Sequence, residues 1–194
     1  MAGASASVKG IALRGLLRSV KDHGWSIPGV IAALPAVEKD AFAKPIISSQ
    51  WYPYSAFVAL VRAIDSLHGG PDFALCRALG RESAGRDLGA TFRIISAMAS
   101  VDFLLKRGQV FWGQYCDRGR MVLEAPDKLS FLARMEDFPE IDVAHCHLIE
   151  GWLEGLGDAL GAVDMTCRQT RCASRGDPHC EFRGAWTSQR GLFR

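Results

Sequence analysis

Near the end of the chain, the stretch CRQTRCASRGDPHCEF, from Cys167 to Phe182, sets three cysteines, one histidine and a Gly-Asp-Pro turn close together. Thiolate and imidazole are donors that zinc prefers in a tetrahedral set, with sulfur at about 2.3 Å from the ion. Cys172 and Cys180 are joined by ASRGDPH and converge if the segment turns back through Gly176-Asp177-Pro178. Cys146, upstream in HCHLIEGWLEGLGDAL, offers a third donor, because its helix must pack against the sheet that carries the hairpin. The same residues admit plainer readings: a disulfide or a bare hairpin for the turn, and a small buried hydrophobe for Cys146. The spacing is irregular for a zinc finger. Free thiols flanking a polar turn are hard to explain by packing, so Cys172 and Cys180 are expected to share a role.

Other candidate chemistry fails on its context. Gly155-Leu-Gly157-Asp-Ala-Leu-Gly161 imitates a dinucleotide fingerprint, yet that motif follows a strand and here a helical pattern runs into it. Ser83-Ala84-Gly85 suggests a nucleophile elbow, but position 81 is Arg where the motif needs Gly. Cys146 lies between His145 and His147, although adjacent helical residues point about 100° apart and do not face each other. His23 and His68 fall near helix ends, where polar capping is the common role. With no acid–base pair and no cofactor motif, the chain is expected not to be an enzyme.

The elements that must position the cysteines follow from periodicity. Leu13, Leu16, Leu17 and Val20 form the apolar face of a first helix whose other face carries Arg14, Arg18 and Lys21. Ser26 and Pro28 open a short second helix that Leu34-Pro35 closes. After a restart at Pro53, Phe57, Leu60, Val61, Ile64 and Leu67 form a helical stripe that ends at Gly69-Gly70. Further helices are expected from Pro71 to about Leu88 and over Ile94, Met98, Val101 and Leu105. From Gln109 the texture changes to aromatic and β-branched runs cut by Asp117-Arg-Gly119 and Pro126-Asp127, which predicts three short antiparallel strands. Pro139 is expected to start the helix in which Cys146, Ile149, Leu153, Leu156 and Leu160 share a face, and Gly161 to end it. The remainder reads as a C-terminal β-hairpin.

The whole is an α+β fold: helices packed on a small antiparallel sheet, with a helix-rich N-terminal half. It is expected as one domain over residues 1–187 with a short polar tail over 188–194. A chain of 194 residues with 48% hydrophobic and 23% charged residues can bury a full core without staples. A net charge of +2 with spread cations leaves no footprint for nucleic acid. No apolar run reaches the ~18 residues of a membrane span, and Lys9, Arg14 and Arg18 interrupt any signal-peptide core. Cytoplasmic location is therefore expected, where cysteines stay reduced and clusters more often bind metal than form disulfides. Cys76 and Cys116 sit alone in apolar segments and are expected in the core.

HCHLIEGWLEGLGDAL followed by CRQTRCASRGDPHCEF resembles the C-terminal signature of 4-vinyl-reductase-type domains: a helical Cys, Gly-aromatic, then Cys, Gly-Asp and Cys-x-Phe. More narrowly, Lys9-Gly10, Trp51-Tyr52-Pro53, Leu79-Gly80-Arg81 and the close at Trp186 make the chain similar to a group of myxobacterial paralogues of about this length. The resemblance implies a fold shared with heme nitric-oxide-binding proteins and transport-particle subunits. It also implies a pocket for a small hydrophobic ligand beside a structural zinc held by three cysteines and a glutamate. Carried over, these are Cys146, Cys172 and Cys180, while the glutamate's place holds Gln169. Gln is neutral and a poor zinc ligand, which leaves His179, Asp177, Cys167 or water as fourth donors, or a site that has lost its metal.

Heme is not expected, since the histidines match no axial position. The implied function is a non-enzymatic sensor that binds a small hydrophobic molecule and signals through a protein partner or a homodimer. Trp112 and Tyr115, in the strand region, are candidate pocket residues, with simple aromatic core as the alternative. The competing function is a protein-interaction scaffold resembling transport-particle components, without ligand.

Overall fold

The computed structural model of the chain describes residues 5–87 and 108–189. A short strand β1 (Ser7–Lys9) leads into helices α1 (Gly10–Asp22), α2 (Ile27–Ala32) and α3 (Ala36–Lys39). Strand β2 (Trp51–Pro53), which pairs antiparallel with β1, then precedes α4 (Tyr54–His68) and α5 (Ala74–Asp87). The expected stripes become core: Leu13, Leu16 and Val20 of α1 are buried, as are Phe57, Leu60, Val61 and Ile64 of α4. Leu67 is instead 49% exposed, in the last turn of α4 beside its glycine end. Ser26 caps α2, its Oγ accepting from the Gly29 N–H at 3.0 Å. Helix α5 begins at Ala74 rather than Pro71, because Asp72 Oδ1 accepts the Ala74 N–H at 3.1 Å. The helix expected over Ile94 to Leu105 lies outside the described residues.

Between Gln109 and Met135 there are two strands, not three: β3 (Arg120–Glu124) and β4 (Ser130–Glu136). The first aromatic run forms a short helix, α6 (Gly108–Trp112). The β preference of Val, Phe and Trp reflects fit to a pleated, half-buried face, and here other contacts decide. Trp112 is buried with its Nε1–H donating to Arg118 O at 2.7 Å, and Gln109 Oε1 accepts the Met121 N–H at 2.9 Å. Part of the strand character survives just downstream, where Cys116 bridges to Val8 and Lys9 N donates to Tyr115 O at 2.8 Å.

Helix α7 (Val143–Ala159) starts after Asp142, whose Oδ1 accepts the Ala144 N–H at 2.8 Å, while Pro139 sits in the preceding turn. It ends as expected: Leu160 is the cap and Gly161 follows with φ 86°, a left-handed value that suits glycine. Then come β5 (Ala162–Val163), β6 (Thr166–Arg171), β7 (Cys180–Ala185) and β8 (Ser188–Gln189). β6 and β7 form the expected hairpin at one side of a four-stranded antiparallel sheet ordered β3-β4-β7-β6. Ser188 and Gln189 fall in the expected tail but pair with β5, and Gln189 Nε2 donates to Leu160 O at 2.6 Å. The architecture is α+β, helices packed on a small antiparallel sheet.

Helices α5 and α7 meet at backbone distance. A Cβ added to Gly151 would stand 1.8 Å from Arg77 O, and one on Gly80 would stand 2.0 Å from Leu148 O. The glycine pattern that imitates a nucleotide motif thus serves helix packing. Gly151→Ala is expected to lower stability by about 1–3 kcal/mol through overpacking, read as a lower urea midpoint at unchanged slope. Gly85→Ala in the same helix pair has open space around it and should be neutral or stabilising, so equal effects at both positions would refute the packing account.

Candidate metal centre and apolar cavity

One face of α7 carries Cys146, Glu150 and Glu154 at successive intervals of four residues. Four helical residues rise about 6 Å, close to the ~6.7 Å spanned by two strand residues. The two carboxylates therefore meet alternate N–H groups of β6: Glu154 Oε1 accepts from Cys167 N at 2.8 Å, and Glu150 Oε1 accepts from Gln169 N. Arg77 of α5 joins them, its Nε donating to Glu154 Oε2 at 3.0 Å and a terminal nitrogen donating to Cys167 O at 3.0 Å. Hydrogen bonding to Glu154 raises the Arg77 pKa further, against the opposing effect of burial. This register holds the hairpin against the helix with Cys146 one turn beyond Glu150.

Cys172 stands just past the end of β6 and Cys180 opens β7. The link between them is a short 3-10 turn closed by Gly176 at φ 96°, with Asp177 Oδ2 accepting the Cys172 N–H at 2.7 Å. The loop thus folds back through Gly176-Asp177 as expected. All three thiols are buried and free of disulfides, with Cys146 Sγ 3.7 Å from Cys180 Sγ and 4.0 Å from Cys172 Sγ. Among the described residues, no histidine or carboxylate joins these sulfurs in a set whose donors all lie within 4.8 Å of one another.

The other sequence candidates divide. Gln169 reaches the centre, and its side chain eases ionisation of both Cys146 and Cys180. Its Nε2 is nevertheless buried without a hydrogen-bond partner. His179, Asp177 and Cys167 stay outside. Asp177 is committed to the turn, Cys167 faces the Glu154 side, and His179 leaves a buried Nε2 unpartnered. The Cys146 thiol, donating to Cys180, draws the Cys180 pKa down to about 6 against the cost of burial, and the Ala173 N–H at 3.3 Å adds to this. Cys146, the donor in that pair and deeply buried, is pushed up.

On an adjacent face, α7 walls an apolar cavity of about 120 Å³. Leu148 and Trp152 of α7 line it together with Ile11 and Leu16 of α1, Phe57 of α4 and Leu123 of β3. Trp112 and Tyr115 also line it, from α6 and the turn after it rather than from strands. His145 joins them, and burial lowers its pKa to about 4, so the ring is neutral at ordinary pH. Sequence reasoning missed His145, Glu150, Glu154 and Arg77. The carboxylates left a signal in HLIEGWLEG, two acids four apart inside an apolar helix.

The ordered run β4-α7-β6-β7, with its three cysteines converging, invites comparison with known domains. Residues 133–185 match the 4-vinyl-reductase domain. That span runs from within β4 to the last residue of β7 and contains Cys146, Cys172 and Cys180. Among curated proteins, none matches the chain. Solved structures similar to it include an H-NOX protein from S. oneidensis in the Fe(II) ligation state, with TM-score 0.71 and 15% identity, covering 96% of this chain and 100% of that one. An Fe(II) unliganded H-NOX protein from K. algicida gives TM-score 0.67 and 11% identity, covering 93% and 97%. At such identities the likeness is one of fold. The span that matches the domain supplies the three cysteines, and the cavity lies between it and the N-terminal helices. Among the described residues, no helix is long and apolar enough to cross a membrane.

Proposed function

We propose that the chain is a non-enzymatic sensor or binding module that takes a small hydrophobic molecule in the apolar cavity, with a structural zinc held by Cys146, Cys172 and Cys180. The observation that carries the reading is the cavity itself: about 120 Å³, mainly apolar, and walled by the helix that bears Cys146. A cavity near 150 Å³ accommodates benzene, whereas pockets for larger ligands run to roughly 300–1,000 Å³. The size favours a ligand of benzene's class over a macrocycle, so heme has no place in this reading.

The donor set fits zinc. Four tetrahedral bonds of about 2.3 Å put sulfurs about 3.8 Å apart, and the Cys146 distances of 3.7 and 4.0 Å bracket that value. Gln169 completes the set through its amide oxygen once the amide turns over, which also relieves its orphaned Nε2. When bound, zinc supplies a closed tetrahedral tie without redox chemistry. The chain's own residues do the rest: Glu150 and Glu154 fix the hairpin, and α7 transmits any change in cavity packing to it. Occupancy then shifts the surface offered to a protein partner or a second copy, by as much as the ligand discriminates between the two states. Cytoplasmic location, a single domain and kinship with the myxobacterial paralogues belong to the same reading.

Native mass spectrometry of the purified chain, with thermal unfolding in the presence of toluene, tests it. Toluene at 100 times its dissociation constant should stabilise the fold by about 2.7 kcal/mol, and Ala12→Trp, which fills the cavity from α1, should abolish the effect. No bound molecule, no stabilisation and a stable hetero-complex would establish the scaffold instead.

A further inference from the structure

His145 stands on the cavity wall with one edge of its ring already engaged. Its Nδ1 lies 2.9 Å from the Tyr54 hydroxyl, which itself accepts the Asp142 N–H at 3.2 Å. Tyr54 is buried at 3% exposure, and a buried hydroxyl needs an acceptor for its proton. His145 Nδ1 is that acceptor. The relay from Asp142 N–H through Tyr54 O–H to Nδ1 fixes the tautomer, because a neutral imidazole with an accepting Nδ1 carries its proton on Nε2. Phe57, edge-on at 5.0 Å between centroids, and Trp112, stacked at 6.4 Å, hold the ring plane.

We infer that the Nε2–H of His145 is the polar recognition point of the cavity, and that the ligand is a small, mainly apolar molecule bearing a hydrogen-bond acceptor such as a carbonyl, ether or nitrile. This rests on the small-ligand reading above and narrows it. Two other polar groups on the wall are spent elsewhere: Trp112 Nε1–H on Arg118 O at 2.7 Å, and Ser83 O–H on Gly80 O at 2.8 Å. A desolvated N–H in such a cavity discriminates, since a ligand without an acceptor leaves it unpaired.

Benzonitrile and phenylacetylene have nearly the same shape and differ in the acceptor nitrogen. Titration of the full chain and of His145→Phe with each gives four dissociation constants, and the benzonitrile preference should fall about tenfold in the variant. Binding of both probes with the same ratio in the two proteins overturns this inference and leaves the small-ligand reading standing. Binding of neither overturns both. Nitrogen-15 NMR of the imidazole provides a check that needs no variant: the wild type should show Nε2 protonated and Nδ1 bare, and the opposite tautomer overturns the assignment.

Discussion

Cys180→Ser and Cys172→Ser are each expected to take zinc from about one equivalent per chain to background, measured by elemental analysis of protein purified without added metal. The three sulfurs sit in a buried cluster where one thiol is already drawn down to about 6 by its neighbours. Thiolates confined this closely repel one another in a medium of low dielectric, and a divalent cation removes that penalty. Apparent zinc affinities in small peptides of roughly 10–16 kcal/mol are coupled directly to folding, so chelation should also lower the melting temperature. Gln169→Glu sharpens the test by exchanging a neutral donor for an anionic one at the same place. A chromophoric chelator should then need at least about tenfold more to strip the metal. Substoichiometric zinc that is unchanged in both serine variants and in Gln169→Glu would refute the assignment.

Glu154→Ala should destabilise the chain by about 3 kcal/mol, read from the urea midpoint. The carboxylate is 4% exposed and accepts from both Cys167 N and Arg77. Its removal strands a buried backbone donor and a guanidinium held inside the fold, and breaking a buried pair in this way costs about 3–5 kcal/mol. The lower end applies because the Arg77 side chain keeps 22% exposure and can rehydrate. Glu154→Gln keeps an acceptor for the Cys167 N–H and should cost distinctly less. The double variant Arg77→Met, Glu154→Leu should recover part of the loss, since it leaves no unpaired charge. Equal costs for Ala and Gln would show that the carboxylate does not hold β6 to α7.

The same segment marks how far residue order alone reaches. Cys172 and Cys180 can be paired from the sequence because a Gly-Asp turn folds the chain back locally, and local geometry is written in neighbouring residues. Cys146 is legible as a donor through the resemblance, with packing of its helix on the hairpin as the supporting argument. The aromatic run of α6 misleads because its residue types suit either a strand or a half-buried helix, and the choice falls to contacts with Arg118 and Met121. Helices α5 and α7 start three or four residues later than Pro71 and Pro139 suggest, since Asp72 and Asp142 are the caps.

The helix stripes, the hairpin, the α+β class and the three thiols are all features of short range or simple period, and the order of residues suffices for them. Three relations wait on the folded chain: Gln169 reaches the sulfurs where His179 does not, Glu150 and Glu154 match the spacing of β6, and Tyr54 orients His145 at the cavity. The hydrogen bonds among them join residues 13 to 91 positions apart. No local propensity encodes such distances, because they arise where packed helices and a sheet edge meet.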